Sequence, residues 1–236
     1  KFTKYLLEFF IIKKGEKLYL RPKIYIFFMT ENSVNSYFES IIDSLVDNKF
    51  AIADDFFTKD EVNVLRENLK NRYDSHQFKK SAIGNNGDKT IAAGIRGDFI
   101  SWIDESELNE AEQMYFLKVN NFIEYLNRTC YLGIVDGEFH YALYPENTFY
   151  KRHLDVFQND SRRTLSVVFY LNDEDWKQEN GGELVIYTPN VGEMEQEISV
   201  IPKGGRMVIF NSRELEHEVK PVSRPRKSIT GWFKTR

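Results

Sequence analysis

Beyond Gly133 the sequence becomes a succession of short runs rich in β-branched and aromatic residues, and few folds can accept that pattern. The runs span 138–144, 149–155, 164–171, 183–187, 197–201, 206–210, 217–222 and 228–233, with turn signals such as Pro145-Glu-Asn, Gly181-Gly182 and Gly204-Gly205 between them. Eight strands within about 95 residues predict an all-β sandwich or barrel. Three helices are expected upstream. Residues 33–46 place apolar side chains at helical spacing, Thr58-Lys-Asp-Glu61 reads as a capping box opening a second helix, and a third is predicted over about 105–129. The expected architecture is α+β: a double-stranded β-helix (jelly-roll) core buttressed by N-terminal helices.

A chain of 236 residues suffices for one well-buried domain. The formal net charge of −4 gives no reason to expect a nucleic-acid partner, and a monomer is the expected state. A single cysteine, Cys130, has no internal partner for a disulfide, which fits a reducing, cytoplasmic setting. Residues 1–28 differ from the rest, with seven Lys/Arg against two Asp/Glu. They are expected to be an extension outside the core, upstream sequence translated from a misplaced start, leaving 29–236 as the domain. The rival reading is a basic segment lying on a partner or membrane surface. The apolar run Tyr5–Ile12, interrupted by Glu8, is too short to span a bilayer, so no membrane partner is otherwise expected. Residues 80–95 are small and Gly-rich; they suit a surface loop or a lid over a site equally well.

Four histidines are present. His153 and Asp155 stand two apart in a predicted strand, where i and i+2 share a face. With His217 from a later strand they would form a facial triad that leaves three positions of an octahedral Fe(II) open. His-x-Asp alone is a weak motif, since a hydrogen-bonded pair is the plain alternative. Arg226 strengthens it. On a strand it shares a face with Ser228, Thr230 and Trp232, and an inward guanidinium calls for a partner such as a dicarboxylate; its alternative is a surface ion pair. His76 is expected on the surface and His140 as a packed core residue.

Several stretches carry a more specific likeness. Ile95-Arg-Gly-Asp-Phe-Ile-Ser-Trp-Ile103, Tyr144-Pro145, Tyr150-x-Arg152-His153-x-Asp155, Phe169-Tyr-Leu-Asn172 and Gly181-Gly-Glu-Leu184 resemble the prolyl 4-hydroxylases of the Fe(II)/2-oxoglutarate-dependent oxygenase superfamily. Within that family the likeness is to the hypoxia-inducible-factor prolyl hydroxylases and their bacterial relatives, over about residues 49–233. The resemblance implies a 2-oxoglutarate-dependent dioxygenase that hydroxylates C4 of a prolyl residue in a protein or peptide and yields succinate and CO2. It implies Fe(II) on His153, Asp155 and His217, 2-oxoglutarate and O2 as co-substrates, and ascorbate as a reductant. Arg226 and Tyr170 would hold the far carboxylate of 2-oxoglutarate, with Tyr144 lining its pocket. Arg96, Asp98, Trp102, Arg162 and Trp232 would stand at the substrate entrance, with an Asp98–Arg162 ion pair shaping the rim. Residues 80–95 fall where the family has a mobile covering loop. Elongation factor Tu is a candidate partner because bacterial relatives act on it. A shortened Tyr144–Tyr150 interval and a different lid sequence leave the substrate open: a free amino acid, another side chain or a small molecule remain alternatives, as does a non-catalytic binding module.

Overall fold

The computed structural model describes the backbone of residues 3–14, 17–28, 31–81, 94–156, 162–188 and 194–236, with side chains from Val34 onward. It divides into two compact units, residues 1–43 and 44–236. In the first, β1 (Thr3–Lys14) and β2 (Lys17–Phe28) form an antiparallel hairpin in register Thr3↔Phe28 to Lys14↔Lys17. The helix α1 (Glu31–Asn48) follows. Most of the segment read as a loop or lid, 82–93, lies outside the described residues.

The second unit contains β3 (Phe50–Ala53), α2 (Lys59–Asp74), β4 (Lys79–Lys80), β5 (Phe99–Trp102) and α3 (Glu110–Cys130). Then come β6 (Ile134–Tyr144), β7 (Tyr150–His153), β8 (Arg163–Tyr170), β9 (Leu184–Thr188), β10 (Gln196–Val200), β11 (Met207–Asn211), β12 (Glu216–Val219) and β13 (Arg226–Thr235). These last eight are the strands expected from the sequence. They fold as two antiparallel sheets, ordered β3-β11-β8-β13-β6-β5-β4 and β10-β9-β12-β7, which is the jelly roll. β3, β4 and β5 were not expected as strands; they extend the larger sheet by pairing with β11, β5 and β6 respectively. Each is four residues or fewer and stands alone between helical segments, outside the run of turn-bounded strands that follows Gly133.

Both long helices of this unit start on capping boxes. Thr58 Oγ1 accepts from the Glu61 N–H, and Glu61 Oε2 accepts from the Thr58 N–H at 2.7 Å. The third predicted helix begins later than expected. Glu105–Glu107 make a single 3₁₀ turn, and Asn109 with Glu112 caps α3. The physical reason is Glu112, which is buried, caps the helix and takes the guanidinium of Arg72 from α2 at 2.6 Å. Among the described residues, no helix is long and apolar enough to cross a membrane.

The central strands β8, β13 and β6 are buried on both faces. Their odd-numbered residues pack against the helices: Tyr115 of α3 lies 5.3 Å from Phe169 and 5.4 Å from Phe139, and Phe122 reaches Phe233. Gly231 is required here, since a Cβ would stand 2.2 Å from the Phe139 ring. Even-numbered residues face the smaller sheet, where Val168, Leu184, Ile186, Val208, Phe210 and Val219 close the second core. Truncating Phe169, fully buried between Phe56, Phe57 and Tyr115, to Ala is expected to cost ~3–5 kcal/mol of stability. Urea unfolding followed by circular dichroism measures it.

Candidate metal and dicarboxylate site

A cavity of about 940 Å³ opens between the even face of the large sheet and strands β7, β9 and β12. β12 pairs with β7 so that His217 stands directly opposite His153, their ring centroids 4.3 Å apart. Asp155, expected in the same strand as His153, instead lies two residues beyond the end of β7, in a bend that turns its carboxylate back toward both rings. Its Oδ1 is 3.5 Å from His153 Nε2 and its Oδ2 is 3.5 Å from His217 Nε2. One donor atom from each of the three lies within 4.8 Å of the others, the one such cluster found among the described residues.

Each imidazole is oriented by its other nitrogen. His153 Nδ1 lies 2.7 Å from the Lys151 carbonyl oxygen and His217 Nδ1 lies 3.3 Å from that of Leu215. A carbonyl can only accept, so Nδ1 carries the proton and Nε2 turns a lone pair toward the shared point. Tyr150 stacks on His153 at 3.6 Å and Phe210 meets His217 edge-on. Burial pushes the His217 pKa down to about 4, which keeps the ring neutral, as a metal ligand must be. Burial alone would raise Asp155. Positive charge on His217 and His153, present only when those rings are protonated, and the Ser166 hydroxyl pull its carboxyl well below the usual range. With both rings neutral, Ser166 is the group that still favours the carboxylate. Two neutral imidazoles and one carboxylate meeting at a point fit Fe(II) with open positions.

Three residues that sequence reasoning missed hold Asp155 in place. Ser166 Oγ donates to Asp155 Oδ2 at 2.7 Å and is itself 2.8 Å from Ser212 Oγ. Since Asp155 can only accept, Ser212 must be the donor to Ser166. Arg163 Nη1 donates to the Asp155 main-chain oxygen at 3.0 Å, while its guanidinium pairs with Glu138 and covers Trp232 at 3.5 Å. A serine inside the apolar run 165–170 was the available signal, because a buried hydroxyl needs a partner.

The opposite end of the cavity is built on Arg226, 2% exposed. Its Nε donates to the Gly182 carbonyl at 3.0 Å, and the guanidinium sits 4.9 Å from the rings of both Tyr144 and Tyr170. Gly182, at φ +72°, must lack a side chain: a Cβ there would stand 2.7 Å from Val222 and 3.0 Å from Arg226 Cδ. No carboxylate among the described residues pairs with Arg226. The Tyr170 hydroxyl is buried beside that guanidinium, and its proton has no acceptor. A buried cation beside a hydroxyl with a proton left to donate fits one end of a dicarboxylate.

The entrance residues separate. Arg96, Trp102, Arg162 and Trp232 line the cavity, whereas Asp98 is buried. The expected Asp98–Arg162 pair is replaced by Asp98–Arg96, bidentate at 2.8 and 2.6 Å, with Ser81 Oγ donating at 2.8 Å. Arg96 wins because it is two residues away on the same extended segment, and Gly97 between them lies against Thr148. Burial would raise Asp98, but Arg96 and Ser81 keep it low. Arg96 also covers Tyr150 at 4.2 Å, so this pair buttresses the ring that backs His153. His76 lies exposed past α2 as expected, and His140 is buried.

Residues 139–234 match the family model of the 2OG-Fe(II) oxygenase superfamily. A prolyl-4-hydroxylase from Pseudomonas putida is 34% identical at a TM-score of 0.73, covering 84% of this chain and 99% of that one. A prolyl hydroxylase from Trichoplax adhaerens, solved with a hypoxia-inducible-factor oxygen degradation domain peptide, is 28% identical at a TM-score of 0.75, covering 87% and 94%. The hypoxia-inducible factor prolyl hydroxylase of Caenorhabditis elegans is 27% identical over 205 residues, 83% of this chain and 28% of that protein. The chain thus spans little more than a quarter of that curated relative. Replacing Ser166 by Ala frees Asp155 Oδ2, and Fe(II) affinity is expected to fall about 10- to 100-fold with the fold intact, as read by metal titration alongside circular dichroism.

Proposed function

The chain belongs to the 2OG-Fe(II) oxygenase superfamily, and on that premise we propose that it hydroxylates C4 of a prolyl residue in a protein or peptide. One observation carries the reading: a neutral-imidazole and carboxylate cluster shares a cavity with a buried arginine that has no carboxylate of its own. The prolyl substrate is supported by the relatives in Pseudomonas putida and Trichoplax adhaerens.

In this reading His153, Asp155 and His217 would hold Fe(II) at the cavity wall. Arg226 binds the far carboxylate of 2-oxoglutarate through its free N–H edges, and the Tyr170 hydroxyl donates to the same group. Bound there, Fe(II) with 2-oxoglutarate would supply the oxidising chemistry: O2 would be consumed with decarboxylation of 2-oxoglutarate to succinate and CO2, one oxygen atom going to succinate and the other to the hydroxylated substrate. The protein's part is placement and exclusion of water. Ser166 and Ser212 keep Asp155 turned toward the histidines, the Lys151 and Leu215 carbonyls fix both rings, and Val168, Leu184, Phe210 and Val219 make an apolar wall around the reacting centre.

Changing Arg226 to Leu removes a charge-assisted pair from a buried setting, an effect of about 2–5 kcal/mol. The affinity for 2-oxoglutarate should fall about 100-fold while Fe(II) binding persists, as titration calorimetry would show. For the substrate, proteomes of cells with the wild-type protein and with His153→Ala are compared for a one-oxygen mass gain on proline, with elongation factor Tu and free proline as defined arms. The wild-type protein is expected to mark proline and the variant to leave it unmarked. Oxidation of a different acceptor alone removes the prolyl assignment, and near-normal turnover by the variant removes His153 from the metal site.

A further inference from the structure

The cavity carries a charge opposite to that of the chain. The formal net charge is −4, yet eight of the side chains lining the cavity are Arg or Lys and two are Asp or Glu. Most of these cations are engaged. Arg72 pairs with Glu112, Arg96 with Asp98, Arg163 with Glu138, and Lys234 with Asp136 and Glu138. Arg162 is also engaged, and Arg226 faces the dicarboxylate. Lys79 and Lys80 of β4 differ from all of these. Both are exposed, both line the cavity, and neither ammonium has an acceptor among the described residues.

Register places them. β4 is the last strand of the larger sheet, and Lys79 stands opposite Ile100, which pairs with Ala142, then Ser228 and Tyr170. Residues paired across a sheet share a face, so Lys79 ends the row that begins at the dicarboxylate site. Strands lie ~4.8 Å apart, which sets Lys79 ~14 Å from β13 and ~19 Å from β8. Lysines on an edge strand discourage pairing with other chains. β4 is two residues long and presents little edge to protect.

We infer that Lys79 and Lys80 select a peptide substrate that carries an acidic side chain a few residues from the target proline. The inference rests on the peptide-substrate reading above. An extended peptide reaching from the metal cluster toward β4 crosses ~14–19 Å at ~3.3 Å per residue, so the acidic side chain falls about three to six residues away. An ammonium is a point charge on a flexible stem and attracts a carboxylate without demanding one geometry. The two lining carboxylates do not compete: Glu138 is held by Arg163 and Lys234, and Asp155 by the metal cluster and Ser166. A cleft lined by one sign of charge focuses its field on the mouth, so a basic segment is repelled there and an acidic one drawn in.

The probes are labelled Ala/Ser peptides with a central proline and one Glu placed at each position on either side of it; each has a Gln counterpart. They are titrated into the full chain loaded with 2-oxoglutarate and Zn(II), a redox-inert stand-in for iron, and binding is read by fluorescence anisotropy. At low salt the Glu peptide of the favoured position is expected to bind about 3- to 5-fold more tightly than its Gln counterpart, the scale of exposed ion pairs. The margin should close as NaCl is raised to ~0.5 M. Lys79→Gln with Lys80→Gln should abolish it, and Lys79→Glu with Lys80→Glu should turn it into a preference for a Lys-bearing peptide, with circular dichroism reporting the fold of each variant. If every Glu peptide binds no better than its Gln counterpart, or if the margin survives in the double glutamine variant, the inference is overturned. If Ala replaces the central proline without loss of affinity and the Glu margin remains, the lysine pair stands and the prolyl reading fails.

Discussion

The two-residue alternation of β8, β13 and β6 is the constraint on which everything else depends. Successive side chains on a strand point to opposite faces, so these three strands must serve two environments at once. Their odd positions hold Phe139, Phe169 and Phe233 against α3, and this packing makes the sheet stiff. Their even positions bring Arg226, His140 and Trp232 to the cavity, with Tyr170 and Ser166 buried on the same face. A one-residue slip in any of these ladders would send polar groups into the aromatic layer and rings into the cavity. The functional wall and the core are two sides of one register.

The three metal-binding candidates are held by groups that bind no metal. His153 and His217 depend on main-chain carbonyls for their orientation, and Asp155 depends on Ser166, Ser212 and Arg163. Without these supports the two imidazoles and the carboxylate could collapse into an ordinary hydrogen-bonded set. With them, both Nε2 lone pairs and one carboxylate oxygen converge on a single point. At the far end, Arg226 is tolerated in the interior because Gly182 lets its backbone oxygen approach and because two tyrosine rings flank the guanidinium.

Much of this was legible in the residues. Eight strands after Gly133, the capping box at Thr58, the His153-x-Asp155 pair and the inward face of Arg226 all follow from local patterns of spacing. Three things were not. β3, β4 and β5 are short and isolated among the helices, and α3 starts late because Glu112 answers to Arg72 on another helix. Asp98 turned to Arg96 instead of Arg162; the two-residue spacing of Arg96 and Asp98 was in the sequence, but which cation Asp98 meets was decided by the fold.

What the sequence by itself determined is the set of chemical groups and the face on which each sits. Period-two alternation places Arg226 with Ser228, Thr230 and Trp232 before any fold is known, whereas Asp155, expected on the strand of His153, lies past its end. Only the tertiary structure decided which of those faces meet. The pairing of β12 with β7 set His217 against His153, and the pairing of β13 with β8 and β6 brought Ser166 to Asp155 and His140 beside Trp232. The physical reason is that alternation is a property of one strand, while register is a property of two, fixed by burial and hydrogen bonding across residues that lie far apart in the chain.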